Sequence, residues 1–154
     1  MGFAVFEEAH LLDWGVSTYG RRGMNRRVMV SRKLNPLLDL HAPSLVVLRK
    51  RKASSAIENL LVPVIQIVRR EVLGRSIGLR FLTAEMVKRF FFAHGCETKH
   101  HVASALAKQY PELAWKLPAK RKPWETENHN MTIFDAAAIG VCFVGTVLEG
   151  VSPV

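Results

Sequence analysis

The sequence predicts an α/β protein. Three observations carry that expectation. Residues 44–48 (SLVVL) follow Pro43 as a short continuous apolar run, the signature of a strand covered on both faces. Directly after it, Ile57, Leu60, Leu61, Val64, Val68 and Val72 recur at helical spacing. Residues 79–82 (LRFL), bounded by Gly78 and Thr83, then form another strand-like run, so strand and helix patterns alternate. A chain of 154 residues, 49% of them hydrophobic, is long and apolar enough for a real core.

Each element has its own local reason. Residues 2–6 (GFAVF) are short and apolar, and residues 10–19 are rich in Leu, Trp, Val, Thr and Tyr, so the two predict a β-hairpin turning through residues 7–10. Residues 21–40 predict a helix with Val28, Leu34, Leu37, Leu38 and Leu40 on its apolar side, interrupted by Pro36. Ser55 and Glu58 have the spacing of a capping box for the helix over residues 57–72. Pro63 costs that helix a hydrogen bond, which predicts a kink or restart. Thr83 caps a helix through Phe92, with Val87, Phe90 and Phe91 on its apolar side, residues 90–92 all read as core, and Gly95 as its stop. Thr98 caps another, with Val102, Ala105 and Leu106 inward, ending before Pro111. Residues 111–130, with three prolines, read as one helical turn followed by an extended loop, and a last helix runs from Met131 through Leu148. The predicted order is β-β-α-β-α-β-α-α-loop-α, in a single domain over residues 1–149 with a frayed tail at 150–154.

Composition removes several function classes. Two cysteines cannot staple a secreted scaffold. The start MGFAVFEEAH has acids where a signal peptide needs cations. The apolar run over residues 136–148 is shorter than the ~18–20 residues of a membrane span. A soluble, cytoplasmic protein without a membrane partner is the expectation. The 22 Lys+Arg against 13 Asp+Glu leave a formal charge of +9, which suits a polyanion. Gly-rich phosphate loops, nucleophile elbows and His-Glu-x-x-His motifs do not occur.

The segment from Leu113 to Gly140 (LAWKLPAKRKPWETENHNMTIFDAAAIG) is the most specific: a basic, proline-broken loop with Trp115 and Trp124 enters a helix whose first turn presents Asp135. With Phe134-Asp135-Ala136 ahead of an Ala-rich apolar run, this pattern resembles the RuvC-like Holliday junction resolvases of the ribonuclease H-like superfamily. The hairpin and the strand–helix–strand–helix middle are similar to that family's later strands, so the likeness spans the chain. The resemblance implies a ribonuclease H-like mixed sheet flanked by helices, and a fold that begins one strand upstream of Gly2. It implies Mg²⁺-dependent phosphodiester hydrolysis, in which two hard cations held by several carboxylates activate water and stabilise the leaving oxygen. Of the family's three acid positions Asp135 alone matches; Arg49 and Lys50 stand where the second acid belongs, and Glu125 and Glu127 are the available substitutes. Asp135 as catalytic group and metal ligand, with Glu127 and Glu125, is therefore one expectation, and an incomplete metal site is the other. A carboxylate opposite the helix dipole, three residues after Thr132, is the structural alternative for Asp135.

Nucleic acid, DNA ahead of RNA, is the partner this charge and likeness imply, and the resemblance also implies a homodimer. Candidate phosphate contacts are Arg49, Lys50, Arg51 and Lys52 after the 44–48 strand, Lys99 and His100 at a helix start, and Lys120, Arg121 and Lys122 in the loop. Trp124 suits stacking on unpaired bases, whereas Trp115 reads better as a loop anchor on the core. The spacing of His94, Cys96, His100 and His101 lacks the paired cysteines of a zinc site. Three functions stay open: nucleic-acid binding by a RuvC-like protein with an incomplete metal site, an active Mg²⁺-dependent endonuclease of DNA recombination or repair, and a protein-interaction domain.

Overall fold

A computed structural model describes residues 2–17, 25–50 and 56–148. The element order is β1 (Gly2–Glu7), β2 (His10–Val16), α1 (Arg26–His41), β3 (Leu45–Lys50), α2 (Ala56–Leu73), β4 (Gly78–Thr83), α3 (Ala84–Ala93), α4 (Lys99–Gln109), a 3₁₀ turn η1 (Pro111–Lys116) and α5 (Met131–Leu148). The protein is mixed α/β. Among the described residues its strands pair as two two-stranded sheets, β1–β2 antiparallel and β3–β4 parallel, where one mixed sheet was expected. Each pair buries its side chains on helices of its own compact unit. One unit takes Met1–Val16 with Ala84–Val154, the other Ser17–Thr83.

In the second unit β3, α2 and β4 form a βαβ crossover, and α1 packs on α2. Val30, Leu34 and Leu38, four residues apart, make one stripe of α1. They meet Val64, Ile67, Val68 and Val72 of α2, with Val46, Leu48 and Leu79 of the strands closing the core. Val28 and Leu40, expected inward, are exposed, because the stripe runs through Val30 instead. Pro36 faces out, and α2 continues through Pro63 without a restart. The Ser55 cap, Arg51 and Lys52 lie outside the described residues. β3 runs two residues further than expected, so Arg49 and Lys50 are exposed strand residues paired with Leu82 and Thr83.

Three helix ends use left-handed residues. After α3, Gly95 (φ 79°) donates to the Phe92 carbonyl at 3.0 Å and Cys96 to Phe91 at 2.9 Å, a Schellman closure. After α2 the same pattern recurs with Ser76 (φ 59°) donating to Leu73 and Ile77 to Val72. After α1, Ala42 (φ 39°) donates to Leu38 at 3.0 Å.

The first unit is organised by α5, which touches β1, β2, α3 and α4. Met131, Ile133, Phe134, Ala137, Ala138 and Cys142 are its buried residues. The helix is long and apolar enough to cross a membrane by length and composition alone, with a mean hydropathy of 2.0. Its small residues admit neighbours: a Cβ on Gly140 would lie 2.2 Å from the Phe6 ring. Burial pushes the Cys142 thiol up from 9.0 to about 11, so it stays protonated. Tyr110 ties α4 to the β1–β2 turn by donating to the Ala9 carbonyl at 3.0 Å, with its ring edge-on to Phe6. Of the phenylalanines of α3 expected in the core, Phe91 is buried but Phe92 is 61% exposed, being a quarter-turn past the inward side.

Candidate nucleic-acid interface

The candidate site lies in the first unit, where α4 and α5 begin and residues 117–130 connect η1 to α5. Its frame starts at Thr98, whose Oγ1 accepts from the His101 backbone N–H at 3.1 Å and so caps α4 as expected. That cap sets the next two side chains, Lys99 and His100, at the mouth of the loop. Each holds one end of it. His100 Nε2 donates to the Pro118 carbonyl at 3.1 Å, and Ser104 Oγ lies 3.4 Å from Nδ1. Lys99 donates to Glu127 Oε1 and, at 2.9 Å, pairs with Asp135 Oδ2.

Lys99 therefore joins three elements: α4, the far end of the loop, and α5, whose Asp135 lies just past the first turn in which the sequence placed it, because the helix starts at Met131. Burial disfavours its charge, but the bonds and charges of Asp135 and Glu127 outweigh this and hold the ammonium above its ordinary 10.5. The structure thus brings Asp135 and Glu127, expected as catalytic carboxylates, together around a lysine ammonium. Lys99 and His100, expected to contact phosphate, spend their donors on the protein itself.

Glu125 does not join that pair. Its Oε2 accepts from the Lys122 backbone N–H at 3.0 Å, while its own N–H donates to the Lys122 carbonyl at 3.1 Å. The two bonds close a four-residue turn, Lys122-Pro123-Trp124-Glu125. Among the described residues no three His, Cys, Asp or Glu side chains converge as a metal centre requires. Magnesium takes an octahedral shell of oxygens, and here the two converging carboxylates already share an internal cation, the Lys99 ammonium. As arranged, these residues do not fit Mg²⁺.

Between the two clasps the chain bulges outward, and Lys120, Arg121 and Lys122 are exposed there. Trp124 is 78% exposed, with Lys122 Nζ 5.8 Å from its ring centroid. Trp115, expected to anchor the loop in the core, is instead 71% exposed. Leu113, two residues earlier, takes the buried position of η1. Trp115 meets Trp14 edge-on at 5.8 Å, and Lys116 Nζ stands 3.9 Å from its centroid. Trp14 was missed in the sequence, whereas Lys116 belongs to the basic run between Trp115 and Trp124 that the sequence marks out. Arg49 and Lys50 belong to the second unit. That unit also has a shallow depression of about 480 Å³ lined by Arg32, Asn35, Asp39 and Arg70 among others, where Asn35 Oδ1 is buried without a hydrogen bond among the described residues.

Comparison with known protein families, with curated proteins and with solved structures finds no match.

Proposed function

We propose that this protein binds nucleic acid, and that it does so as a RuvC-like, ribonuclease H-like protein whose metal site is incomplete. The observation that carries the binding reading is the clasped loop, which presents Lys120, Arg121, Lys122 and Trp124 to solvent on a chain of charge +9. Cations attract phosphates and release counterions, and an exposed ring offers a stacking surface. Lys99 supports binding over cutting. Its single charge offsets part of the negative charge of Glu127 and Asp135 beside the loop and occupies the place that hard cations would need. The parallel β3–α2–β4 unit and an acid near the start of the last helix are compatible with the ribonuclease H-like descent.

The second reading, a Mg²⁺-dependent endonuclease acting on DNA, is favoured by one observation: Glu127 and Asp135 do converge. It requires Lys99 to leave them and a further acid to arrive.

Fluorescence anisotropy with labelled oligonucleotides over a salt series tests the proposal. Binding is expected to weaken linearly in log–log form as salt rises. Absence of binding at low salt, or affinity indifferent to salt, would overturn it. Mg²⁺-dependent nicking that disappears in Asp135→Asn would establish the endonuclease reading instead.

A further inference from the structure

We infer that the turn from Lys122 to Glu125 is a braced stacking platform for an unpaired base, so that the preferred ligand is single-stranded nucleic acid. This rests on the nucleic-acid reading and narrows it. A tryptophan left 78% exposed forgoes the burial that such a large apolar ring ordinarily obtains. Its presentation is built. Pro123 fixes φ at the second position of the turn, where proline suits it. The Glu125 N–H closes the turn on the Lys122 carbonyl, and the Glu125 carboxylate returns to the Lys122 N–H. Three restraints thus hold the backbone that carries Trp124, and the clasps at Pro118 and Glu127 hold the loop that carries the turn. A ring ordered before binding loses little freedom when a base stacks on it. Lys122, within cation–π reach of that ring, is placed for the phosphate beside a stacked base.

Duplex DNA is a poorer fit. Its bases stack on one another, and reaching one demands an unstacking cost that a single strand does not incur. Trp115 with Lys116 repeats the combination of exposed ring and adjacent cation in the same unit.

Glu125 acts here as a positioning residue, and its charge makes the test sharp. An acid that merely stood near phosphates would weaken binding, so that removing it by any substitution would tighten binding. A brace behaves differently: Glu125→Gln keeps an oxygen acceptor for the Lys122 N–H and sheds the charge, whereas Glu125→Ala sheds both. Anisotropy is measured for the full chain and its variants with oligo-dT, with a duplex of equal length, and with anionic vesicles as a competitor. Oligo-dT is expected to bind several-fold more tightly than duplex. Trp124→Ala is expected to lose about tenfold or more for oligo-dT, as removal of one base–aromatic stack does, with little change for duplex, while Trp124→Phe retains most of the affinity. Glu125→Gln is expected to bind oligo-dT at least as well as the parent chain, and Glu125→Ala several-fold worse than Glu125→Gln. Equal affinity for duplex and oligo-dT, an unaffected Trp124→Ala, or equal behaviour of the two Glu125 variants would overturn the platform while leaving nucleic-acid binding in place. Binding to vesicles alone would overturn both readings.

Discussion

Lys99 shows how one side chain can redirect a site. Taken from the sequence, it is another cation at a helix start, where anions are attracted. In the fold it reaches Glu127 and Asp135 and converts a candidate metal-ligand pair into an ion-pair cluster. The pairs are half exposed, so each contributes modestly, on the order of 0.2–1 kcal/mol. Lys99→Met is accordingly expected to lower the melting temperature by about 2–4 °C, measured by circular dichroism. The sign with pH follows from the upward shift: the stabilisation is complete below the ordinary 10.5 and disappears as pH rises through the still higher value in the folded chain. The gap between parent and Lys99→Met should thus stay constant from neutral pH into mild alkali and close in strong alkali. A gap that closed between neutrality and mild alkali would contradict the cluster.

At the level of elements, most of the layout was legible because periodicity and turn chemistry are local. The helix from Met131 to Leu148, the Thr98 cap and the Gly95 stop agree with expectation. What local pattern could not give was which side of a weakly patterned helix turns inward: α1 buries Val30 rather than Val28, and α4 buries Ala103 and Ala107 beside Leu106. Small residues carry little hydrophobic signal, yet they lie where helices approach closely. The stop after α2 was equally silent, since Ser76 is not a residue that announces a left-handed position. It offers a direct test. Ser76→Gly removes a strain of ~1–2 kcal/mol and should raise the melting temperature by about 2–4 °C. Gly95→Ala, at the equivalent place after α3 with no neighbour within 4 Å of a new Cβ, should lower stability through backbone strain alone. Thermal denaturation of the two variants, moving in opposite directions, checks both closures.

For the molecule as a whole, charge sets the expected behaviour with polyanions. If Lys120, Arg121 and Lys122 each neutralise one phosphate of a single strand, replacing all three by alanine should flatten the salt dependence by about 2 in log–log slope. A variant with unchanged slope would place the contacts elsewhere, with Arg49 and Lys50 of the other unit the next to replace. Length, charge, the order of strands and helices and the basic, tryptophan-bearing loop are properties of the chain itself, legible because each depends on residues close in sequence. Tertiary structure alone decided that the strands form two pairs among the described residues and that Glu127 and Asp135 share a lysine. Those outcomes depend on groups 28 and 36 residues from Lys99 meeting it in space, and no local pattern encodes which distant partner will be nearest once the chain has packed.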